Sequence, residues 1–171
     1  MWDDVSCLWR QAISRVSVDS DGESIKHCRE CLLMPYTKSI VSAVLTLLVV
    51  VGVERPRILC VGLGGGSIPA FLSAMMPCDV DVVEVEPTVL EAAKDLGFQP
   101  DGMKLYLEDG AAFVTSVVQG ADKDGVYDAV IVDAYDADGN VPVALTTSSA
   151  FTKAASAELA LCIPSSVSSK P

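Results

Sequence analysis

Basic side chains are scarce over most of this chain. Residues 1–57 hold seven Lys or Arg and seven Asp or Glu, whereas the residues beyond hold five basic and sixteen acidic side chains, and the net charge is −11. A surface of this sign repels phosphate backbones, so we expect no nucleic-acid partner. A cationic small molecule or a basic protein is easier to reconcile with such a field.

The chain also lacks an apolar run long enough to cross a bilayer. The longest, residues 40–53, has about fourteen residues and includes Ser42 and Thr46, whereas a membrane-spanning helix needs roughly twenty. We therefore predict no membrane partner and a helix that starts after Pro35, ends near Gly52 and packs on a sheet. No signal peptide is recognisable, so a cytoplasmic location with reduced thiols is expected.

A complete set of metal ligands is missing as well. Cys28 and Cys31 have the C-x-x-C spacing that supplies half of a zinc site, but no second such pair and no pair of histidines completes it. The prediction is therefore no metal, with a metal or redox role of this pair as the alternative. Three other cysteines lie in apolar surroundings and are interpreted as small hydrophobic residues: Cys60, Cys78 and Cys162.

Residues 57–86 carry the clearest motif. It consists of a strand, a glycine turn, a helix and a second strand that ends in acidic residues. Such a turn lets the backbone approach an adenosine-containing ligand, and Glu84 is placed to accept hydrogen bonds from ribose hydroxyls. A dinucleotide pattern G-x-G-x-x-G would need a sixth residue that is Gly or Ala, and here it is Ser67. Gly62, Gly64 and Gly66 instead form G-x-G-x-G, which suits a ligand without a pyrophosphate, such as S-adenosylmethionine.

Strands and helices are predicted to alternate after this motif. A further acid, Asp109, is predicted at the end of a third strand, where it can accept from an adenine amino group. The alternation predicts an α/β, Rossmann-like parallel sheet flanked by helices, with ligand bound beyond the carboxyl ends of the strands. The predicted strands are Arg57–Val61, 80–85, Lys104–Leu107 and 129–133, and the predicted helices are Ser67–Met75, 87–96 and 111–118.

Three segments, residues 60–69, 83–93 and 127–136, together resemble class I S-adenosylmethionine-dependent methyltransferases. The resemblance covers roughly residues 35–151, and it is to the spermidine-synthase-like branch, which includes enzymes that methylate a translation elongation factor. It implies S-adenosylmethionine as cofactor. It also implies that Gly62, Gly64 and Gly66 line the methionine part, that Glu84 holds the ribose, that Asp109 with Gly110 meets the adenine, and that Asp133 and Asp136 are catalytic.

Two departures from that branch disfavour a polyamine synthase. Ser67 stands where the family usually has an acid that holds the aminopropyl donor. The family also has a β-rich N-terminal domain, and nothing before Met34 is predicted to form a series of paired strands. The resemblance thus favours methyl transfer to an amine of a protein or a small molecule. The alternatives are a non-catalytic module with a cofactor fold that acts through protein contacts and, less favoured, an aminopropyltransferase.

The predicted organisation has three parts. Residues 1–34 form a segment of uncertain structure, in which Trp2, Trp9, Ile13 and Val16 suggest an amphipathic helix, residues 35–164 form the cofactor-binding domain, and residues 165–171 form a disordered tail. After a helix near 148–159, no sequence is left for the last C-terminal strands of the complete class I fold. We therefore expect a truncated chain whose exposed sheet edge allows self-association.

Overall fold

The fold is built on a parallel sheet whose strands come from most of the chain. A computed structural model describes residues 14–22, 24–119, 127–136, 140–147 and 160–161. The strands are β1 (Val16–Val18), β2 (Ile25–His27), β3 (Arg57–Val61), β4 (Asp79–Glu84), β5 (Lys104–Leu107), β6 (Ala129–Val132) and β7 (Ala160–Leu161). The helices are α1 (Pro35–Val51), α2 (Ser67–Met75), α3 (Pro87–Asp95), α4 (Gly110–Gln119) and α5 (Val143–Thr147).

The main sheet has the order β5-β4-β3-β6-β7, and each neighbouring pair is parallel. Its central strand, β3, alternates between the two faces, because successive side chains of a strand point in opposite directions. Ile58 and Cys60 belong to one core cluster, and Leu59 and Val61 belong to the other. The sheet is thus covered on both faces, as parallel sheets with helical crossovers usually are.

Helix α1 occupies the first of these faces, and its ends follow from its sequence. Pro35 stands in the first turn, where its missing N–H costs no hydrogen bond, and Gly52 ends the helix in the left-handed conformation with φ of 81°. Gly52 donates its N–H to the carbonyls of Leu48 and Val49. Val44 and Leu48, four residues apart, are buried against the sheet. The predicted core helix is confirmed, and no helix in the described residues is long and apolar enough to cross a membrane.

One pair of strands that the sequence did not predict precedes Met34. Strands β1 and β2 form an antiparallel hairpin in which Val16 pairs with His27 and Val18 with Ile25. Val16 lies in a strand and not in an amphipathic helix, while the other residues of that predicted helix lie outside the described residues. The hairpin was missed because each strand has only three residues, too few for a period of two to stand out.

The edge of the sheet beside β6 differs from the sequence-based expectation. Strand β7 pairs in parallel with β6 through Ala160 and Leu161, so a short fifth strand covers part of the edge that was expected to be bare. No antiparallel strand joins this sheet within the described ranges. The predicted helix near 148–159 and the predicted tail at 165–171 lie outside the residues described here.

Two valines of α1 allow a matched test of this packing. Val44 has no exposed surface and Val49 is 75% exposed. Val44→Ala removes two buried methyl groups and should lower the free energy of unfolding by about 2 kcal/mol. Val49→Ala should change the free energy of unfolding by less than about 0.5 kcal/mol, because truncating an exposed side chain creates no cavity. Urea unfolding measures both values, and equal losses in the two variants would contradict the proposed burial of this helix face.

Candidate functional site

Polar residues gather where the parallel strands end. Strands β3, β4, β5 and β6 are aligned by their pairing, so the residues that follow them meet at one edge of the sheet. The glycine turn follows β3, Glu84 ends β4, Asp109 comes shortly after β5, and Asp133 follows β6 directly. This edge is the place where open α/β sheets bind ligands.

The glycine turn needs glycine for different reasons at its three positions. Gly62, Gly64 and Gly66 have φ of 94°, 51° and 75°, and residues that carry a Cβ rarely adopt such values. A Cβ on Gly62 would collide with the backbone carbonyl of Asp133, and one on Gly66 would collide with the Phe98 ring. Around Gly64 no atom lies within 4 Å of that position, so its surroundings are open.

Glu84 is bonded to the backbone of this turn. Its Oε2 accepts the N–H of Leu63 at 2.8 Å, and its Oε1 accepts the N–H groups of Val85 and Glu86 at 2.9 and 3.0 Å. Three of the roughly four acceptor positions of a carboxylate are therefore used within the protein. Glu84 fixes the loop around a ligand site and has little acceptor capacity left over.

Asp109 also has a structural contact. Its Oδ1 accepts the N–H of Ala112 at 2.8 Å, which caps the first turn of α4. Gly110 begins that helix, and a Cβ on it would lie 2.6 Å from Cγ1 of Val61. The close approach of α4 to β3 thus requires glycine at this position.

Asp133 has a different environment from the other acids. Its Oδ2 accepts a long hydrogen bond of 3.4 Å from the hydroxyl of Tyr36, and its Oδ1 is buried without a hydrogen-bond partner among the described residues. Burial raises the pKa of the Asp133 carboxyl, while the hydroxyls of Tyr135 and Tyr36 oppose this shift. Burial also raises the pKa of Tyr36, and the neighbouring Asp133 adds to it.

Asp136 lies on the exposed rim. Its N–H donates to the carbonyl of Asn140 at 2.8 Å, and its Oδ1 accepts the N–H of Asn140 at 2.9 Å. These two bonds close the loop that follows β6. The two acids predicted to be catalytic are therefore unequal, because Asp133 is enclosed and Asp136 mainly shapes the rim.

Two adjoining cavities open at this edge, and four residues line both: Gly62, Gly64, Asp133 and Tyr135. The first cavity is also lined by Tyr36, Ser67, Ile68 and Asp136. The second is also lined by Glu84, Asp109, Gly110 and Leu145. Asp133 therefore stands at the junction of the two spaces.

The structure brings together most of the residues that the sequence singled out. Gly62, Gly64, Glu84, Asp109, Gly110, Asp133 and Asp136 all line one or both cavities, whereas Gly66 lines neither of these two and packs against Phe98. Lys38, near the start of α1, is a candidate partner for the carboxylate of the cofactor's methionine part. It is exposed and lines neither cavity.

Sequence reasoning missed the support that the N-terminal segment gives to the turn. The hydroxyl of Ser14 donates to the carbonyl of Gly65 at 2.8 Å. The ring of His27 meets Phe98 edge-on, with 6.3 Å between centroids, and Phe98 in turn lies against Gly66. Nothing in the sequence signals these contacts, because the residues are far apart along the chain and belong to no motif.

Solved structures with a similar fold include a methyltransferase-like protein and a probable spermidine synthase. No family model matches the chain. The solved structure of human methyltransferase-like protein 13 in complex with SAH has a TM-score of 0.63 and 30% sequence identity, covering 74% of this chain and 61% of that chain. A probable spermidine synthase from Corynebacterium glutamicum ATCC 13032 has a TM-score of 0.57 at 14% identity, covering 78% of this chain and 52% of that one, and it shows the fold alone.

Curated sequences give particular relatives. The human eEF1A lysine and N-terminal methyltransferase is 39% identical over 79 residues, which are 44% of this chain and 11% of that protein. The polyamine aminopropyltransferase of Vibrio vulnificus (strain CMCP6) is 33% identical over 82 residues, 46% of this chain and 26% of that one. The chain thus spans about a tenth of the length of the first relative. These findings confirm the fold class and the similarity to the spermidine-synthase-like branch of class I methyltransferases.

The bonds of Glu84 predict a cost in stability. In Glu84→Ala three backbone N–H groups lose their acceptor, and one of them belongs to the buried residue Leu63. We expect the free energy of unfolding to fall by about 1–3 kcal/mol. Glu91→Ala, on the exposed side of α3, is the control and should stay within about 0.5 kcal/mol of the wild type. An unchanged denaturant midpoint in Glu84→Ala would show that the carboxylate does not hold the turn.

The raised pKa of Asp133 predicts the opposite effect at that position. Because the folded state favours the protonated carboxyl, the ionised group at neutral pH makes folding less favourable. Asp133→Asn should therefore raise the melting temperature at pH 7, and the gain should shrink as the pH falls through the raised pKa towards the ordinary value for aspartate. The exposed Asp95→Asn is the control for loss of a charge. A melting temperature for Asp133→Asn that falls at pH 7 would mean that the carboxylate is stabilised in the fold.

Proposed function

We propose that this chain binds S-adenosylmethionine at the glycine turn and transfers its methyl group to an amine, most simply an amine of a protein. The observation that carries the proposal is the position of Asp133, which lines both cavities and has one buried oxygen without a hydrogen-bond partner among the described residues. One cavity is then available for the cofactor and the other for the acceptor. Relatives that are methyltransferases support the reaction class.

The residues present fit this cofactor. The open space around Gly64 accepts a ligand beside the turn backbone, and the second cavity offers Asp109 on its wall for the polar edge of an adenine. Glu84 lines the same cavity, and the one acceptor position that its three backbone bonds leave unused suits a ribose hydroxyl. Carboxylates at the site also favour a positively charged sulfonium. When bound, the cofactor supplies an electrophilic methyl group.

The chain's own part in the reaction is positioning and proton removal. Asp133 is placed to accept a hydrogen bond from an ammonium or amine group in the first cavity. Its raised pKa makes it a better proton acceptor than an ordinary aspartate, as a general base requires. Tyr36 donates to Oδ2 of Asp133, and Oδ1 has no hydrogen-bond partner among the described residues. Holding the amine in line with the methyl group accounts for much of the remaining rate gain.

An amine acceptor also agrees with the charges at the rim. Asp133 and Asp136 line the first cavity, and among the described residues no Lys or Arg lines either cavity. A lysine side chain or a free N-terminus is a cationic group that such a mouth attracts. The human relative is an eEF1A lysine and N-terminal methyltransferase, which makes eEF1A the first protein to test.

Transfer of tritiated methyl groups tests the proposal. The full chain is incubated with labelled S-adenosylmethionine and purified eEF1A, and in parallel with a cell extract separated by size. We expect the wild type to label protein. The rate of methyl transfer by Asp133→Asn should be lower by about a hundredfold or more. Calorimetry with S-adenosylhomocysteine, which has no sulfonium charge, should show similar affinity for both, since Asp133 acts on the acceptor. Binding without transfer to any protein or small molecule would support the non-catalytic module instead, and no binding at millimolar ligand would remove the cofactor assignment.

Aminopropyl transfer is a second candidate because the bacterial relative is a polyamine aminopropyltransferase and the D-x-x-D spacing of Asp133 and Asp136 is present. The β1–β2 hairpin is a single pair of three-residue strands and not a β-rich domain, and Ser67 remains in place of the usual acid. An assay with putrescine and decarboxylated S-adenosylmethionine separates the two reactions, since only aminopropyl transfer forms spermidine.

A further inference from the structure

A pair of thiols lies outside the site described above. Cys28 directly follows β2, Cys31 comes three residues later, and their sulfur atoms are 2.8 Å apart. Both residues are half-buried, so both sulfurs are close to the surface. They belong to the segment that leads from the hairpin to Met34, which caps the start of α1.

Contacts on both sides hold this segment in place. The N–H of Cys28 donates to the carbonyl of Arg15 at 2.7 Å, which extends the pairing of the hairpin by one bond. Between the two cysteines, Nη1 of Arg29 lies 3.0 Å from Oδ2 of Asp101. Leu32, next to Cys31, is buried in the main core. The approach of the sulfurs is therefore a property of an anchored loop.

The environment of Cys28 differs from that of the other cysteines in the described part of the chain. A hydrogen bond from the Cys31 thiol lowers the pKa of Cys28, and the charge of Arg15 acts in the same direction. Burial raises the pKa of Cys78 to about 11 and also raises that of the buried Cys60. Since the thiolate is the reactive form, Cys28 should react before Cys60 and Cys78.

We propose that Cys28 and Cys31 are a redox-active dithiol that a peroxide or a small-molecule disulfide oxidises to a reversible intramolecular disulfide. With peroxide, the Cys28 thiolate attacks one oxygen, the O–O bond breaks, and a sulfenic acid and one water form. The Cys31 thiol then attacks the Cys28 sulfur, the S–O bond breaks, and a second water leaves. The two thiols lose two electrons and two protons, and the peroxide gains them.

With glutathione disulfide the same bond forms by exchange. Cys28 attacks one sulfur and releases a glutathione thiol, and Cys31 then attacks Cys28 and releases a second one. A metal role is less well supported, because two thiolates supply half of a tetrahedral site and no third ligand joins them within the described ranges.

Peptide mapping tests the proposal on the full wild-type chain. The protein is equilibrated in glutathione buffers of increasing oxidised fraction, blocked with N-ethylmaleimide and digested with trypsin. Trypsin cuts after Arg29, between the two cysteines, so the disulfide joins two separate peptides that mass spectrometry detects as one linked mass. We expect this linked pair to form before Cys60 or Cys78 is modified, and to disappear on treatment with dithiothreitol.

Reaction rates and variants complete the test. Cys28 should be alkylated about tenfold or more faster than Cys78 at pH 7, allowing for the lower nucleophilicity of a more acidic thiol. Cys31→Ser should abolish the linked pair and leave Cys28 as a mixed disulfide with glutathione, whereas Cys78→Ser should leave the pair unchanged. Circular dichroism checks that each variant is folded. The proposal would be overturned if Cys28 and Cys31 stayed reduced in buffers that oxidise Cys78. Equal alkylation rates of Cys28 and Cys78 would also overturn it.

Discussion

The site depends on one carboxylate that binds the glycine turn to the end of the neighbouring strand. Glu84 accepts the N–H of Leu63 across the gap between the two strands and those of Val85 and Glu86 on its own segment. The ends of β3 and β4 therefore cannot separate at this edge without losing the Leu63 bond. The close approach of Gly62 to the backbone of Asp133 joins β6 to the same turn. The cavities exist because these strand ends are held together around a turn with open space beside Gly64.

The acids of the site divide into two groups. Glu84, Asp109 and Asp136 accept backbone N–H groups and shape the loops, and their charges are met by those dipoles. Asp133 instead has a buried oxygen with no partner in the described part of the protein and a raised pKa. Carboxyls that burial makes more basic are common at catalytic positions, and they carry a cost in stability that a purely structural residue would not be expected to have.

The central elements could be predicted closely from the sequence. Strands Arg57–Val61 and Lys104–Leu107 and helix Ser67–Met75 have their predicted bounds, because apolar periodicity and the glycine turn fix them locally. The β1–β2 hairpin and β7 were missed, since three-residue and two-residue strands carry too little pattern and depend on tertiary pairing. The division of the chain at residues 34 and 164 stays a prediction.

The sequence predicted which residues lie at the candidate site better than it predicted the contacts that each residue makes. Strand ends and glycine spacing placed Gly62, Glu84, Asp109 and Asp133 at one edge, since the carboxyl ends of parallel strands meet there. The backbone contacts of Glu84 and the hydroxyl of Tyr36 on Asp133 could not be predicted, because both depend on how distant segments are oriented.

Hydrogen exchange on the full chain tests the cofactor position most directly. Backbone amides are followed with and without saturating S-adenosylhomocysteine. Binding at the turn predicts slower exchange at residues 63–65 and 109–111, which line the proposed cofactor space or adjoin it, and little change at Lys38 and Ser39 on the exposed side of α1. Unchanged exchange at residues 63–65 under saturating ligand, or protection confined to other segments, would contradict a cofactor site at the glycine turn.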